Sequence, residues 1–248
     1  MNTECHNWYS PSLGREMEIK VYGHYGRALL VFPAAGGTFH EFEDFGMIDV
    51  CRQFIDDGRI KVFTVGSVDN ESWLNRNIHP VDRARRHEDY ERYIINEVVP
   101  FVQNHCRNKD RFFLTGCSMG GYHTVNFMFR YPWAFGGTIA LSGVYGPGYF
   151  IGDYMDDYVA QFFPPVYLPG LRDPHSFDLL RSSDIIISVG QGPWERSWDY
   201  DCVEDARTIA AILDSLRIPA WVDFWGNDVS HDWVWWKVQL PYFLGKIL

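Results

Sequence analysis

Three stretches of the chain carry residue types that could make a serine reactive. The first is Gly116-Cys117-Ser118-Met119-Gly120-Gly121, which follows the apolar run Arg111-Phe112-Phe113-Leu114-Thr115 and opens a helical pattern. A serine between a strand and a helix, with glycine two positions away on each side, suits a turn tight enough to strain its backbone and lift its hydroxyl clear of the sheet. Gly116 and Gly120 leave room for that turn, and Gly121 lets the helix pack closely. A helix starting at this point also favours negative charge developing beside Ser118. The five-residue pattern alone also occurs in inert glycine-rich turns, so its weight comes from the strand before it and the helix after it.

A hydroxyl near neutral pH needs a base, and histidine titrates in the right range. Where a serine sits on such an elbow, an acid and then a histidine follow it in chain order. Of nine histidines, His231 comes after the last apolar run, Pro219-Ala220-Trp221-Val222-Asp223-Phe224, and just before the C-terminal helical segment. His175 falls earlier, in an irregular stretch, and His123 lies within the helix behind Ser118, where it packs or caps. The acid should follow the run Ile185–Gly190, where Glu195, Asp199 and Asp201 compete. Glu195 is nearest the strand end, and Asp201 reads as the N-cap of the next helix. Asp228, three residues before His231, is a further candidate. Such a set attacks an acyl carbon, and the resulting oxyanion needs donors. One is the backbone N–H of Met119; another should come from the small-residue loop Val31-Phe32-Pro33-Ala34-Ala35-Gly36-Gly37-Thr38.

The elements that must position these residues alternate. Apolar runs at Glu18–Tyr22, Ala28–Phe32, Ile60–Val65, Arg111–Thr115, Thr138–Leu141, Ile185–Val189 and Ala220–Phe224 read as strands. Helical patterns fall near Phe42–Asp56, His87–Val99, Met119–Arg130, Asp201–Leu216 and Trp233–Ile247. Strand–helix alternation predicts an α/β fold: a mostly parallel sheet with helices on both faces. The short turn Gly23 to Arg27 predicts an antiparallel pairing of the first two runs. Residues 142–183 break the rhythm. They are rich in Gly, Pro and aromatics, and are expected to form a cap insert over a pocket within a single domain spanning 1–248.

Composition excludes several classes. A formal charge of −10 disfavours nucleic acid, which is bound by neutralising phosphates. The arginines at 83, 85 and 86 are interleaved with acids and read as a solvated helix start, although they could meet an acidic substrate group. Five widely spaced cysteines suggest neither a disulfide framework nor a metal site. No apolar stretch reaches membrane-spanning length and no signal peptide is visible, so a cytoplasmic, membrane-free protein is expected.

With these residues placed, the chain resembles the putative-esterase family, whose members have the α/β-hydrolase fold. They include S-formylglutathione hydrolases, feruloyl, acetylxylan and enterochelin esterases, and mycobacterial mycolyltransferases. The resemblance rests on Gly116–Gly121, on Gly190-Gln191-Gly192-Pro193-Trp194-Glu195, on His231-Asp232-Trp233-Val234-Trp235-Trp236, and on Tyr90–Phe101 ahead of the elbow strand. It implies Glu195 as the acid, and Ala35, followed by Gly36, as the second oxyanion donor. It fixes mechanism better than substrate. The expected activity is a serine carboxylic ester hydrolase acting through an acyl-enzyme, without cofactor or metal, on a small-molecule or sugar ester. Acyl transfer by the same residues and a non-catalytic binding role are the alternatives. Phe39, Trp73, Tyr154, Trp194 and Trp198 are expected to wall the substrate pocket.

Overall fold

A computed structural model describes all residues, 1–248. Eight strands form one sheet: β1 (Thr3–Ser10), β2 (Arg15–Tyr22), β3 (Arg27–Phe32), β4 (Ile60–Val65), β5 (Phe112–Cys117), β6 (Phe135–Leu141), β7 (Asp184–Val189) and β8 (Trp221–Phe224). Their order across the sheet is β1-β2-β4-β3-β5-β6-β7-β8. The first two pairings in that order, β1 with β2 and β2 with β4, are antiparallel and the rest are parallel. Every residue of β4 and of β5 is buried, which explains why both read as continuous apolar runs rather than as alternating ones.

Four helices matter for the site: α1 (Pro80–Tyr93), α2 (Met119–Arg130), α3 (Cys202–Ser215) and α4 (Trp233–Ile247). The larger core lies on the face covered by α1, α2 and α3, and takes in Tyr90, Tyr122, Phe127 and Ile209. The opposite face is covered by α4 through Trp236, Leu240 and Phe243, together with short turns around Phe42, Met47 and Ile55. No helix is long and apolar enough to cross a membrane.

The structure corrects four expectations. The runs flanking Gly23–Arg27 do not pair with each other, because β4 lies between β2 and β3. The glycine turn itself seats the start of β4: a Cβ on Gly26 would stand 2.5 Å from Arg59 C and Ile60 N. The antiparallel start is made instead by β1, which no apolar run announces, since along it half-buried positions alternate with exposed ones. The helix expected at Phe42–Asp56 is broken at Gly46, whose φ of 76° no continuous helix tolerates. The helix expected at His87–Val99 begins earlier, at Pro80. It continues to Cys106 through a π-helical turn at Ile94–Val98 that absorbs Pro100.

The insert at 142–183 holds several short helices, among them Pro147–Ile151, Pro164–Tyr167 and Pro174–Arg181. Phe150, Phe162, Phe163 and Leu168 are fully buried members of the main core. Arg83 donates to the Phe150 carbonyl at 2.9 Å, and Tyr122 Oη to that of Phe162 at 3.0 Å. The insert thus lies along α1 and α2, and Phe150, Phe162 and Phe163 are spent on packing there.

Candidate active site

The chain turns from β5 into α2 at a single residue, Ser118, with φ 56° and ψ −119°. That conformation is costly for an L-residue with a side chain and persists only where surrounding structure imposes it. Three glycines supply the room. A Cβ on Gly116 would lie 2.5 Å from the Gly120 backbone, one on Gly120 2.5 Å from the Phe32 carbonyl oxygen, and one on Gly121 2.9 Å from Gly143 Cα. The Ser118 N–H is fixed by the Leu141 carbonyl at 2.9 Å, tying the turn to the end of β6.

Glu195 and His231 come together on two loops laced to each other. Gly192 N donates to Val229 O at 2.9 Å, His231 N to Pro193 O at 3.0 Å and Gln191 N to Gly226 O at 3.2 Å. The Glu195 side chain is 1% exposed and its Oε2 lies 3.1 Å from His231 Nδ1. Its other oxygen accepts from Ser142 Oγ at 2.7 Å and from Gly190 N at 3.1 Å. Ser142 accepts in turn from Trp236 Nε1 at 3.2 Å, and the Trp236 ring stands edge-on to the imidazole at 5.0 Å. This chain of contacts fixes one carboxylate, one imidazole tautomer and one ring plane. Ser142 follows Leu141, the residue that anchors Ser118, so Ser118 stands just past the end of β5 and the Glu195 carboxylate is held just past the end of β6, with His231 reaching it from the loop after β8. The Ser118 hydroxyl donates to no protein group, and no hydrogen bond joins it to His231. A serine–imidazole bond commonly tightens only when substrate arrives.

The other candidates fall elsewhere. Asp201 caps α3 by accepting from Val203 N and Glu204 N. Asp228 is exposed and half-buried Asp199 makes no bond to His231. His175 is exposed, and His123 is fully buried with Nε2 2.9 Å from Asp69 Oδ1.

At the loop after β3, Ala34 N donates to Glu41 Oε2 at 2.6 Å and Gly36 N to Asp69 Oδ2 at 3.3 Å. The amide of Ala35 lies between these two engaged neighbours and has no acceptor of its own. Gly36, the alternative donor, is therefore committed within the protein. Met119 is the first residue of α2, where an N–H has no partner in its own helix.

Of the expected pocket walls, Trp73 is 1% exposed and packs among His87, Phe150, Phe162 and Phe163, so it belongs to the core beneath the insert. Phe39 is buried beside the Gly36–Thr38 loop and helps line a cavity of about 310 Å³ there. Tyr154 is tied to Asp156 at 2.7 Å and stands edge-on to His79. Trp194 and Trp198, on the acid loop, are 64% and 91% exposed. Arg83 is buried against the insert rather than solvated, while Arg85 pairs with Asp82 and Arg86 with Glu71.

Three neighbours were not singled out by sequence. They are Ser142 behind Glu195, Asp69 behind the β3 loop, and Cys202, whose sulfur lies 3.8 Å from His231 Nδ1. Ser142 carries a signal after the fact, because it is the residue immediately past β6 at the edge where the elbow stands. Glu195, Cys202 and His231 could together offer a metal three ligand atoms. Burial pushes the Cys202 thiol well above its usual range, which keeps it protonated beside the imidazole.

Comparison with known proteins agrees with this architecture. A family model described as "Putative esterase" matches residues 10–247. No curated protein matches the chain. Among solved structures, a ferulic acid esterase superposes with a TM-score of 0.75 at 17% identity, covering 100% of this chain and 98% of that one. FphF, a fluorophosphonate-binding serine hydrolase of Staphylococcus aureus, gives 0.73 at 16%, covering 99% and 97%. MPT51 (FbpC1) of Mycobacterium tuberculosis gives 0.73 at 16%, covering 100% and 98%. At these identities the likeness is one of fold, while the family match spans nearly the whole chain. The chain has the α/β-hydrolase fold and belongs to the putative esterase family, as a carboxylic ester hydrolase.

Proposed function

We propose that the chain hydrolyses small-molecule or sugar esters through an acyl-enzyme on Ser118, with His231 as base and Glu195 as its orienting acid. The observation that carries this reading is the buried Glu195 carboxylate. It bonds His231 Nδ1 through one oxygen and is locked through the other by Ser142 and Gly190, at the sheet edge where Ser118 is held at φ 56°.

With Nδ1–H donated to Glu195, His231 Nε2 is the free base. Ser118 Oγ attacks the ester carbonyl carbon as its proton passes to Nε2. The N–H groups of Met119 and Ala35 receive the oxyanion, each worth about 3–4 kcal/mol at the transition state. Collapse expels the alcohol, which takes its proton from His231. Water then repeats the sequence on the acyl-enzyme and releases the acid. Tyr200 lies 6.1 Å from the imidazole, ring to ring, and 5.8 Å from Tyr149. With Trp194 and Trp198 exposed on the acid loop, these rings offer stacking surfaces for an aromatic acyl group or a sugar.

The test is turnover of p-nitrophenyl acetate. Ser118→Ala should lower it by at least about 10⁴-fold and abolish labelling by a fluorophosphonate. Turnover surviving that substitution rejects Ser118 as nucleophile.

A further inference from the structure

We propose that a groove at the opposite edge of the sheet binds a small anion of the phosphate class carrying more than one negative charge. This edge holds the starts of β3, β4 and β5, whereas Ser118, Glu195 and His231 sit beyond strand ends. The groove has a volume of about 1110 Å³. Five cationic side chains line it (Arg27, Arg59, Lys61, Arg107 and Arg111), against one carboxylate, Asp110. The chain as a whole has 32 acidic and 22 basic residues, so the groove reverses the sign of its surroundings.

The cations are unequally engaged. Arg111 is spent on the carbonyls of Pro132, Phe135 and Leu179. Arg27 stacks over Phe113 and has only a distant carboxylate, Asp184 at 4.0 Å. Arg59 lies over the Phe54 ring, and neither it nor Arg107 has an acidic partner. Lys61 points to a ligand most directly. It stands on β4 opposite Ala28 of β3, is only 7% exposed, lines the groove, and makes no hydrogen bond or ion pair. Its stem is buried between the strands while its ammonium opens into the groove, where an anion can reach a charge that no protein group already neutralises.

The ligand's chemistry follows from the arrangement. Separate cations from different segments, one of them a lysine point charge, suit the oxygens of a phosphate or diphosphate better than a single planar carboxylate, which favours one arginine fork. A long polyanion would extend past the groove over a chain of net charge −10 and be repelled, so the ligand is small.

The experiment is calorimetric titration of the full chain with inorganic pyrophosphate, ADP, citrate and sulfate at matched ionic strength. Pyrophosphate or ADP should bind at least about 10-fold more tightly than citrate or sulfate; tighter ADP assigns the site to an organic diphosphate, and tighter pyrophosphate to the inorganic ion. Lys61→Met, close in shape and uncharged, should weaken binding by about 10-fold or more, and exposed Arg107→Ala by about 3-fold. Turnover of p-nitrophenyl acetate should be unchanged in both variants, which also shows that they fold. Should Lys61→Met fail to fold, Arg107→Ala and Arg59→Ala decide. Citrate binding as tightly as pyrophosphate, no binding beyond that of sulfate, or affinity unaltered in the variants would overturn the proposal.

Discussion

Two regions contact helix α2 in opposite ways. At its N-terminus the chain is held by what is missing: three glycines leave no Cβ to collide, and Ser118 is forced to positive φ. Along its side the insert is held by what is present: Trp73, Phe150, Phe162 and Phe163 fill space against Tyr122 and His87. The first region stores strain and the second spends burial to stabilise the fold. Substitutions should therefore separate activity from stability at the elbow and join size to stability in the insert.

The largest separation is expected at the elbow. Ser118→Gly removes the proposed nucleophile and should cost at least about 10⁴-fold in turnover. Glycine accepts positive φ freely, so the same variant should be more stable by about 1 kcal/mol, measured by urea unfolding. A destabilised Ser118→Gly would mean that the backbone there is not strained. In the insert the two properties should respond the other way round. Trp73→Ala opens a cavity and should lose about 3–5 kcal/mol of stability, with kcat on p-nitrophenyl acetate nearly unchanged in the fraction that stays folded. Trp73→Phe keeps most of the bulk and removes an indole N–H that has no partner, so it should cost far less.

The same contrast explains what could be read in advance. The elbow was legible because its requirements are local: strand, serine, small residues at fixed offsets, helix. Chain order then reached His231, and proximity to a strand end favoured Glu195. The parallel strands were legible because burial on both faces makes them continuously apolar. What escaped depends on pairing across distance. Strand β1 is a half-exposed edge, and its pattern of Thr, Glu, Cys, His and Asn shows no apolar run. Whether β2 neighbours β3 or β4 is decided by packing at Gly26, which a turn signal alone does not report. Trp73 reads as a pocket wall because composition does not say which neighbour a ring meets. Trp73 lies far from the insert in sequence and yet is enclosed by it.

Ser142 sits where the two regions join, at the first residue of the insert and directly behind Glu195. Ser142→Ala removes one of the two donors to Glu195 Oε1 and leaves Trp236 Nε1 without an acceptor. A hydrogen bond to a charged group is worth about 1.5–3 kcal/mol. The expected outcome is a fall in kcat of about 10–100-fold with KM little changed, since the loss acts on imidazole orientation rather than on substrate contacts. A KM effect without a kcat effect would place Ser142 in substrate binding instead.

The smallest effect expected is acid loosening of the insert ahead of the elbow. Glu91 on α1 accepts from Asn126 at 3.0 Å, Arg130 at 2.9 Å and Tyr131 at 3.0 Å, and Arg130 also holds the Gln161 carbonyl of the insert. Burial alone would raise the Glu91 carboxyl, but its bonds to His87, Arg130 and Tyr131 outweigh this and hold it below the ordinary glutamate value. His87 beside it is fully buried, and desolvation lowers its pKa despite Glu91 nearby. Both folded values are depressed, so the unfolded chain binds these protons first. The stability each group contributes is therefore complete above its ordinary pKa and drains away as pH falls through the folded one. Loss should begin below about pH 6.5 through His87 and deepen below about pH 4.5 through Glu91. Hydrogen exchange at pH 7.5 and pH 5 should show amides of residues 150–168 losing protection while those of β5 do not. Equal loss in both would mean that the sheet and the insert open as one unit, and that the elbow's strain and the insert's packing are not separable after all.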